Sequence, residues 1–366
     1  MLIFIIGGKN MKGNKTLIPG LTTSLLRSIL PAFSLILTLL GGTLFLVGCG
    51  ANGFNWSALS NVQIQQMEYV ESAEKNVTDI NLNFDSTDFL VMLDDNAESV
   101  SVSYPQRQNK KGENISEITV TETENSLSIT EKQKKHFSFF NFTDPLVTVT
   151  LPSSRVYALS IEGDTGDVVL NDGGVFSTLS IKISTGDISL SKTQAEELQA
   201  TLSTGDITIN DATVTGAIST KASTGDISLS KVTANSLTAK ASTGKVKLSN
   251  LIVTESLTVQ TSTGDIILNE NITANTLTIT ADTGNVKAKD ALIDSMDISI
   301  TTDTGYVKAT LTGIKHDYAT SVTTDTGSKN ISSNLENVLD GLINPDRKLK
   351  IKTDTGDIKI YFADAN

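Results

Sequence analysis

Leu179-Ser180-Ile181-Lys182-Ile183-Ser184-Thr185-Gly186-Asp187-Ile188-Ser189-Leu190 sets aliphatic side chains at every second position on either side of a Thr-Gly-Asp turn. The same phrase, or a close variant, returns every 19 to 22 residues from Thr165 to Thr326 and once more at Thr355. Ten glycines carry the register: Gly166, Gly186, Gly205, Gly225, Gly244, Gly264, Gly284, Gly305, Gly327 and Gly356. A period near twenty with one sharp turn per copy marks a stacked solenoid.

Positions seven, five and three before each glycine supply one inward face, as in Leu237, Ala239 and Ala241 or Leu277, Ile279 and Ala281. Positions two and four after it supply another, as in Ile207 and Ile209, Ile266 and Leu268, or Ile358 and Ile360. Both runs alternate with period two, the signature of strands buried on one side. A weaker third inward point recurs midway through each link, at Val232, Ile252, Ile272 and Leu292, which predicts a three-sided coil. Such short strands need neighbours. Stacked at about 4.8 Å they pair backbone to backbone and join their aliphatic positions into columns. The expected fold is therefore all-β, a single-stranded parallel β-helix of about 20 residues per coil, with right-handed winding favoured by the rule for parallel crossovers.

The first 48 residues contain no Asp or Glu, carry Lys9, Lys12, Lys15 and Arg27, and run apolar from Ile29 to Val47. That is an export segment. It ends in Leu46-Val47-Gly48-Cys49, which resembles the bacterial lipobox, and that resemblance implies cleavage before Cys49 after a diacylglycerol is attached to its sulfur. Cys49 is the only cysteine in the chain, so an internal disulfide is impossible. The alternative is an uncleaved membrane anchor, since about 20 apolar residues span a bilayer. Met11 is a second candidate start, preceding an ordinary basic segment. Without residues 1–48 the chain keeps 25 Lys plus Arg against 41 Asp plus Glu, a net charge of −16. Such a balance argues against nucleic acid as a partner.

The expected organisation is a signal segment at 1–48, a tether at 49–74, irregular first β coils and a cap at 75–158, and regular repeats at 159–362. Ser86-Thr87-Asp88 reads as a degenerate copy of the turn. The interval from Gly327 to Gly356 lengthens to 29 residues, and 333–342 has a helical signature: a Ser333/Glu336 capping box, an apolar face of Leu335, Val338, Leu339 and Leu342, and Gly341 near its end. That helix would cover the stack or dock a partner. The run Lys132–Phe142, three lysines followed by four phenylalanines, would close the bottom of the core or touch lipid headgroups.

The recurrent acids are the main candidates for chemistry. Asp167, Asp187, Asp206, Asp226, Asp265 and Asp357 follow the glycine directly, while Asp164, Asp282, Asp303, Asp325 and Asp354 stand two before it. The two sets coincide only at the outlying pairs Asp164/Asp167 and Asp354/Asp357. One acid per copy suits a carboxylate that accepts an N–H of its own turn. Calcium would require six to eight converging oxygens, and Lys245 and Tyr306 stand where an acid would be needed. No metal or cofactor is therefore expected, and the purified chain should melt alike with calcium and with chelator. His136 and His316 are far apart, Trp56 sits in the tether, and no nucleophile motif appears, so no catalytic residue is assigned.

The lipobox, the strand-rich first part, the repeats and the closing Leu349-Lys350-Ile351-Lys352-Thr353-Asp354-Thr355-Gly356-Asp357-Ile358-Lys359-Ile360 together resemble a bacterial family of β-strand-repeat domains of unknown function, described as "putative adhesins", in lipoprotein form. The resemblance spans about 75–362. It implies a cell-surface protein and transfers no active site. The expected function is a non-enzymatic, surface-exposed scaffold, lipid-anchored on the outer face of the cell membrane, that binds a cell-wall, polysaccharide or protein ligand. An envelope sensor or accessory protein with a membrane partner is the second reading, and a polysaccharide-active enzyme a minor third.

Overall fold

The computed structural model describes residues 62–133, 145–171, 173–333 and 345–363. The export segment, Cys49, Trp56, His136, the phenylalanine run 137–142 and residues 334–342 of the expected helix lie outside the described residues. Among the described residues, no helix is long and apolar enough to cross a membrane.

Between glycine turns each middle coil is one long bent strand: β11 (Ile188–Thr204), β12 (Ile207–Thr224), β13 (Ile227–Thr243), β14 (Val246–Thr263), β15 (Ile266–Thr283) and β16 (Val286–Thr304). Each pairs in parallel with the next, so that equivalent side chains stack. Leu198, Ile218, Leu237, Leu257, Leu277 and Ile298 form one such column, and all are buried. Burying an aliphatic side chain of this size is worth about 1.5–3 kcal/mol. That gain exists only where a neighbouring coil covers the face, which ties stability to stacking.

A second corner falls six residues after the glycine, at Lys192, Asp211, Lys231, Asn250 and Glu270, each with φ between 53° and 59°. These non-glycine residues adopt the left-handed conformation in successive coils, a costly choice that stacking over-determines. The third inward run starts one residue earlier than expected in two coils. Leu251 and Val253 are buried while Ile252 is 52% exposed, and Ala291 and Ile293 are buried where Leu292 was expected inward. Val232 and Ile272 are buried as expected. In the coil of Leu251 the inward run starts directly after the left-handed Asn250, in the coil of Ile272 Asn271 adds one residue after Glu270, and Ile293 then stacks on Ile272.

Chain order fails at both ends of the stack. At the start, β2 (Asp79–Ser86) and β3 (Asp88–Asp94) form the first coil in sequence, yet they lie inside the stack. On one side they pair with β8 (Tyr157–Thr165) and β9 (Val168–Leu170), and on the other with β6 (Ser126–Gln133) and β7 (Leu146–Pro152). At the finish, β17 (Val307–Thr312) completes the coil begun by β16. The last coil in sequence, β20 (Arg347–Thr355) with β21 (Ile358–Ala363), then inserts between that coil and the earlier pair β18 (Tyr318–Thr326) and β19 (Lys329–Ser333). The simple sequential stack implied by the repeat is thus corrected at each end.

The expected tether is also shorter than 49–74. Residues 62–70 form β1 (Val62–Val70), antiparallel to β4 (Ser101–Asn109), which runs antiparallel to β7; β5 (Ser116–Glu122) is antiparallel to β6. Two ion pairs fix this antiparallel cap. Buried Arg107 pairs with buried Glu131 and also donates to Thr87 Oγ1 at 2.9 Å. Glu71, 4% exposed, accepts from the N–H groups of Val77 (2.6 Å) and Val100 (2.8 Å) and from the Arg155 guanidinium at 2.8 Å.

Candidate functional site

The ten sequence-identified glycines all adopt positive φ, from 128° to 157°, and stand on one edge of the stack. Gly225 shows why the residue must be glycine. Its φ is 135°, and a Cβ there would sit 1.9 Å from the carbonyl oxygen of Gly205 in the preceding coil. The turn keeps its ladder bonds: Gly225 N–H donates to Thr243 O at 2.8 Å and Ile227 N–H to Lys245 O at 2.9 Å. Thr87 takes the glycine's place in the coil below Gly166, so the degenerate copy belongs to the same edge. In space the edge ends Gly305, Gly356, Gly327, against chain order.

The acid after the glycine does not bond its own turn, as the sequence suggested. Its Oδ1 accepts the backbone N–H of the equivalent residue one coil further on. Asp88 receives Asp167 (2.9 Å), Asp167 receives Asp187 (2.8 Å), Asp187 receives Asp206 (2.8 Å), Asp206 receives Asp226 (2.7 Å) and Asp226 receives Lys245 (2.8 Å). Asp265 and Asn285 continue the series by accepting from Asn285 and Tyr306, and Asp357 accepts from Ser328. A turn at positive φ turns this N–H outward, and the neighbouring carboxylate supplies its acceptor. The side chains of Lys245 and Tyr306 offer no carboxylate or amide oxygen at that place.

Electrostatics divide the column. Partial desolvation and the carboxylates of Asp167 and Asp206 push Asp187 above its ordinary value, against the pull of the Asp206 N–H. Asp226 is also desolvated, but the Lys245 N–H and the Lys247 ammonium at 2.9 Å outweigh that and hold it below the usual carboxylate range. Asp265 is lowered likewise: its desolvation is overcome by Lys287 and Asn285. The early coils therefore stack acid on acid, and the later ones interleave cations.

Those cations form a row that sequence reading did not single out. The third residue after the glycine points outward, and in register it runs Ser189, Thr208, Ser228, Lys247, Ile267, Lys287, Lys308, Lys359, Asn330. Aligning the repeats on their glycines would have revealed it up to Lys308; the adjacency of Lys308 and Lys359 needs the out-of-order coil. Beside this row opens a groove of about 610 Å³ between the last turns, with Tyr306, Lys308, Asp357 and Lys359 in its wall. Of the histidines, His316 lies exposed in a 3-10 turn, Lys315–Asp317, away from this edge's turn residues. Among the described residues no three His, Cys, Asp or Glu side chains are grouped to hold a metal ion.

The family model described as Toastrack DUF4097 matches residues 77–217 and again 192–361, together well over half of the chain. Two solved structures are similar. A "putative adhesin" from Bacteroides fragilis NCTC 9343 shares 13% identity over 82% of this chain and 97% of its own, with a TM-score of 0.40. A "putative cell adhesion protein" from Clostridium sporogenes ATCC 15579 shares 11% identity over 82% of this chain and 100% of its own, with a TM-score of 0.20. No curated protein matches the sequence significantly.

Proposed function

The chain belongs to the Toastrack DUF4097 family, and from that premise we propose that it is a non-enzymatic β-solenoid binding scaffold of adhesin type, held at the cell surface by a lipid on Cys49. The observation that carries this reading is the use made of the recurrent acids. Their Oδ1 atoms are spent on the N–H groups of the neighbouring coil, from Asp88 through Asp226 and again at Asp265 and Asp357. The repeated chemistry of the chain thus builds a stiff scaffold, and its outward rows of Thr, Ser and Lys are left as ordered display surface. A surface of this kind recognises by repetition along its length.

The tether follows from the sequence alone: a basic, acid-free leader, an apolar run, and a single cysteine after Leu46-Val47-Gly48. Cells producing the full chain should adhere to a matrix that chain-less cells do not hold, and Cys49→Ser should release the chain from the membrane fraction and abolish adhesion. Unchanged processing and fractionation of Cys49→Ser would overturn the lipid and favour the uncleaved anchor. Correct surface placement without any gain in adhesion would overturn the adhesin reading in favour of the envelope sensor or accessory protein.

A further inference from the structure

We propose that the groove beside the last three turns is a binding site for a linear polysaccharide bearing carboxylates, of the uronic-acid class; the inference rests on the binding-scaffold reading and names its ligand chemistry. The first observation is the lysine row. Lys287, Lys308 and Lys359 occupy the same outward position in three adjacent coils, at a strand spacing of about 4.8 Å. Like charges directly opposite one another on a sheet are destabilising, and coils elsewhere hold Ser189, Thr208 and Ser228 at this place. Small neutral residues therefore serve at this place in other coils.

Their compensation is incomplete. Lys287 pairs with Asp265. Lys308 instead stands 5.9 Å over the ring of Tyr361, a contact that leaves its charge in place. The acid in the groove wall, Asp357, accepts the Ser328 N–H at 2.9 Å and hydroxyl at 2.8 Å on its Oδ1 and stays anionic, so its one charge faces the two ammonium groups of Lys308 and Lys359. On a chain with formal net charge −12, the groove lining carries two lysines, Lys308 and Lys359, against one carboxylate, Asp357.

The remaining wall chooses among anions. Tyr306, 39% exposed, replaces the acid of the turn column and brings an aromatic ring to the groove, with the Lys287 ammonium 5.8 Å from its centroid. The hydroxyl-bearing residues Thr304, Thr326 and Thr355 and the amide of Asn285 complete the lining. An aromatic ring suits the C–H face of a sugar ring, hydroxyls and an amide suit its hydroxyls, and the ammonium groups suit its carboxylates. At about 610 Å³ the groove has the size of a small-ligand site. It is open, so a polymer can pass through it with its charges spaced along the stack.

The test uses the full-length chain in detergent micelles, titrated calorimetrically with polygalacturonate, neutral dextran and polyphosphate. Polygalacturonate should bind with an affinity that weakens as salt is raised, and dextran should not bind. Tyr306→Asn with Lys308→Ser and Lys359→Ser restores residue types that neighbouring coils already carry, and it should weaken polygalacturonate at least ten-fold without lowering the unfolding midpoint. Tyr306→Asn alone should weaken polygalacturonate several-fold and leave any polyphosphate binding unchanged. Absence of polygalacturonate binding, unaltered binding by the triple variant, or indifference of polygalacturonate to Tyr306→Asn would each overturn the proposal. If wild-type cells adhere while polygalacturonate fails to bind, the groove proposal falls and the adhesin reading stands. If polygalacturonate binds but the cells adhere to nothing, the reverse holds.

Discussion

In the middle of the stack, from Ile188 to Thr283, each coil lies on the coil that precedes it in the chain, and its bonds repeat with hardly any variation. At the two ends the same backbone pairing is kept while chain order is broken, because β2–β3 and β20–β21 slip one place inward. A sequential stack needs only local contacts to grow. An inserted coil must wait for partners distant in sequence, as β2 waits for β8 across 79 residues from Ile80 to Leu159. The middle is thus built for propagation and the ends for closure, where ion pairs and non-local strands hold the stack against unravelling.

The sharpest way to break the middle is Gly225→Val. Positive φ costs a branched residue about 1–3 kcal/mol, and the overlap with Gly205 O adds overpacking of similar size. We expect a loss of about 4 kcal/mol in chemical denaturation, with hydrogen exchange rising first in the coils on either side. An unchanged midpoint would refute the role given to the turn.

The end cap should answer to Glu71→Ala. This substitution leaves two buried N–H groups and Arg155 without their acceptor, and removing one member of such a pair costs about 3 kcal/mol. Exchange should accelerate in β1, β4 and β2 while the middle coils keep their protection. The Val77 and Val100 N–H bonds and Arg155 hold Glu71 below its ordinary value despite its burial. Its contribution is therefore complete above the unfolded carboxylate range and is lost as pH falls through the lowered folded value. Uniform loosening of all coils would show that cap and middle unfold as one unit.

The smallest effect separates two halves of the middle itself. Asp187 titrates above its ordinary value, so the native state holds its proton longer than the unfolded chain, and stability declines as pH rises through that window. Asp187→Asn keeps an oxygen for the Asp206 N–H, as Asn285 does for Tyr306, and should stabilise the chain at pH 7 by less than about 1 kcal/mol, its charge being largely solvated. Asp226→Asn should act in the opposite sense, because Lys247 stabilises that carboxylate. Melting curves at pH 7 and pH 3.5 would show both differences shrinking in acid; shifts of the same sign would refute the division of the column.

Most of the architecture was legible because it rests on side-chain type. Glycine is needed wherever a carbonyl sits beneath the turn, and inward aliphatics alternate with outward polar residues, as from Leu179 to Leu190. The second corner was illegible because Lys, Asp, Asn and Glu all serve there, and only a constant distance from the glycine betrays it. The swapped ends were illegible for a different reason. A parallel edge is read through backbone groups that every residue carries, so Leu349 fits against Ile298 as well as a sequential neighbour would. The acids were visible, but their direction of bonding was not, since an acid beside a glycine can accept from its own turn or from the next coil.

The inward slip of β20–β21 has a mechanical meaning. Tension entering the chain from beyond Ala363 reaches a coil gripped on both sides, by β16–β17 and by β18–β19. Peeling a strand from a free edge breaks its hydrogen bonds one after another, whereas drawing out a sandwiched strand along its length strains two ladders together. The second arrangement therefore resists a pull along the strand better than a free edge would.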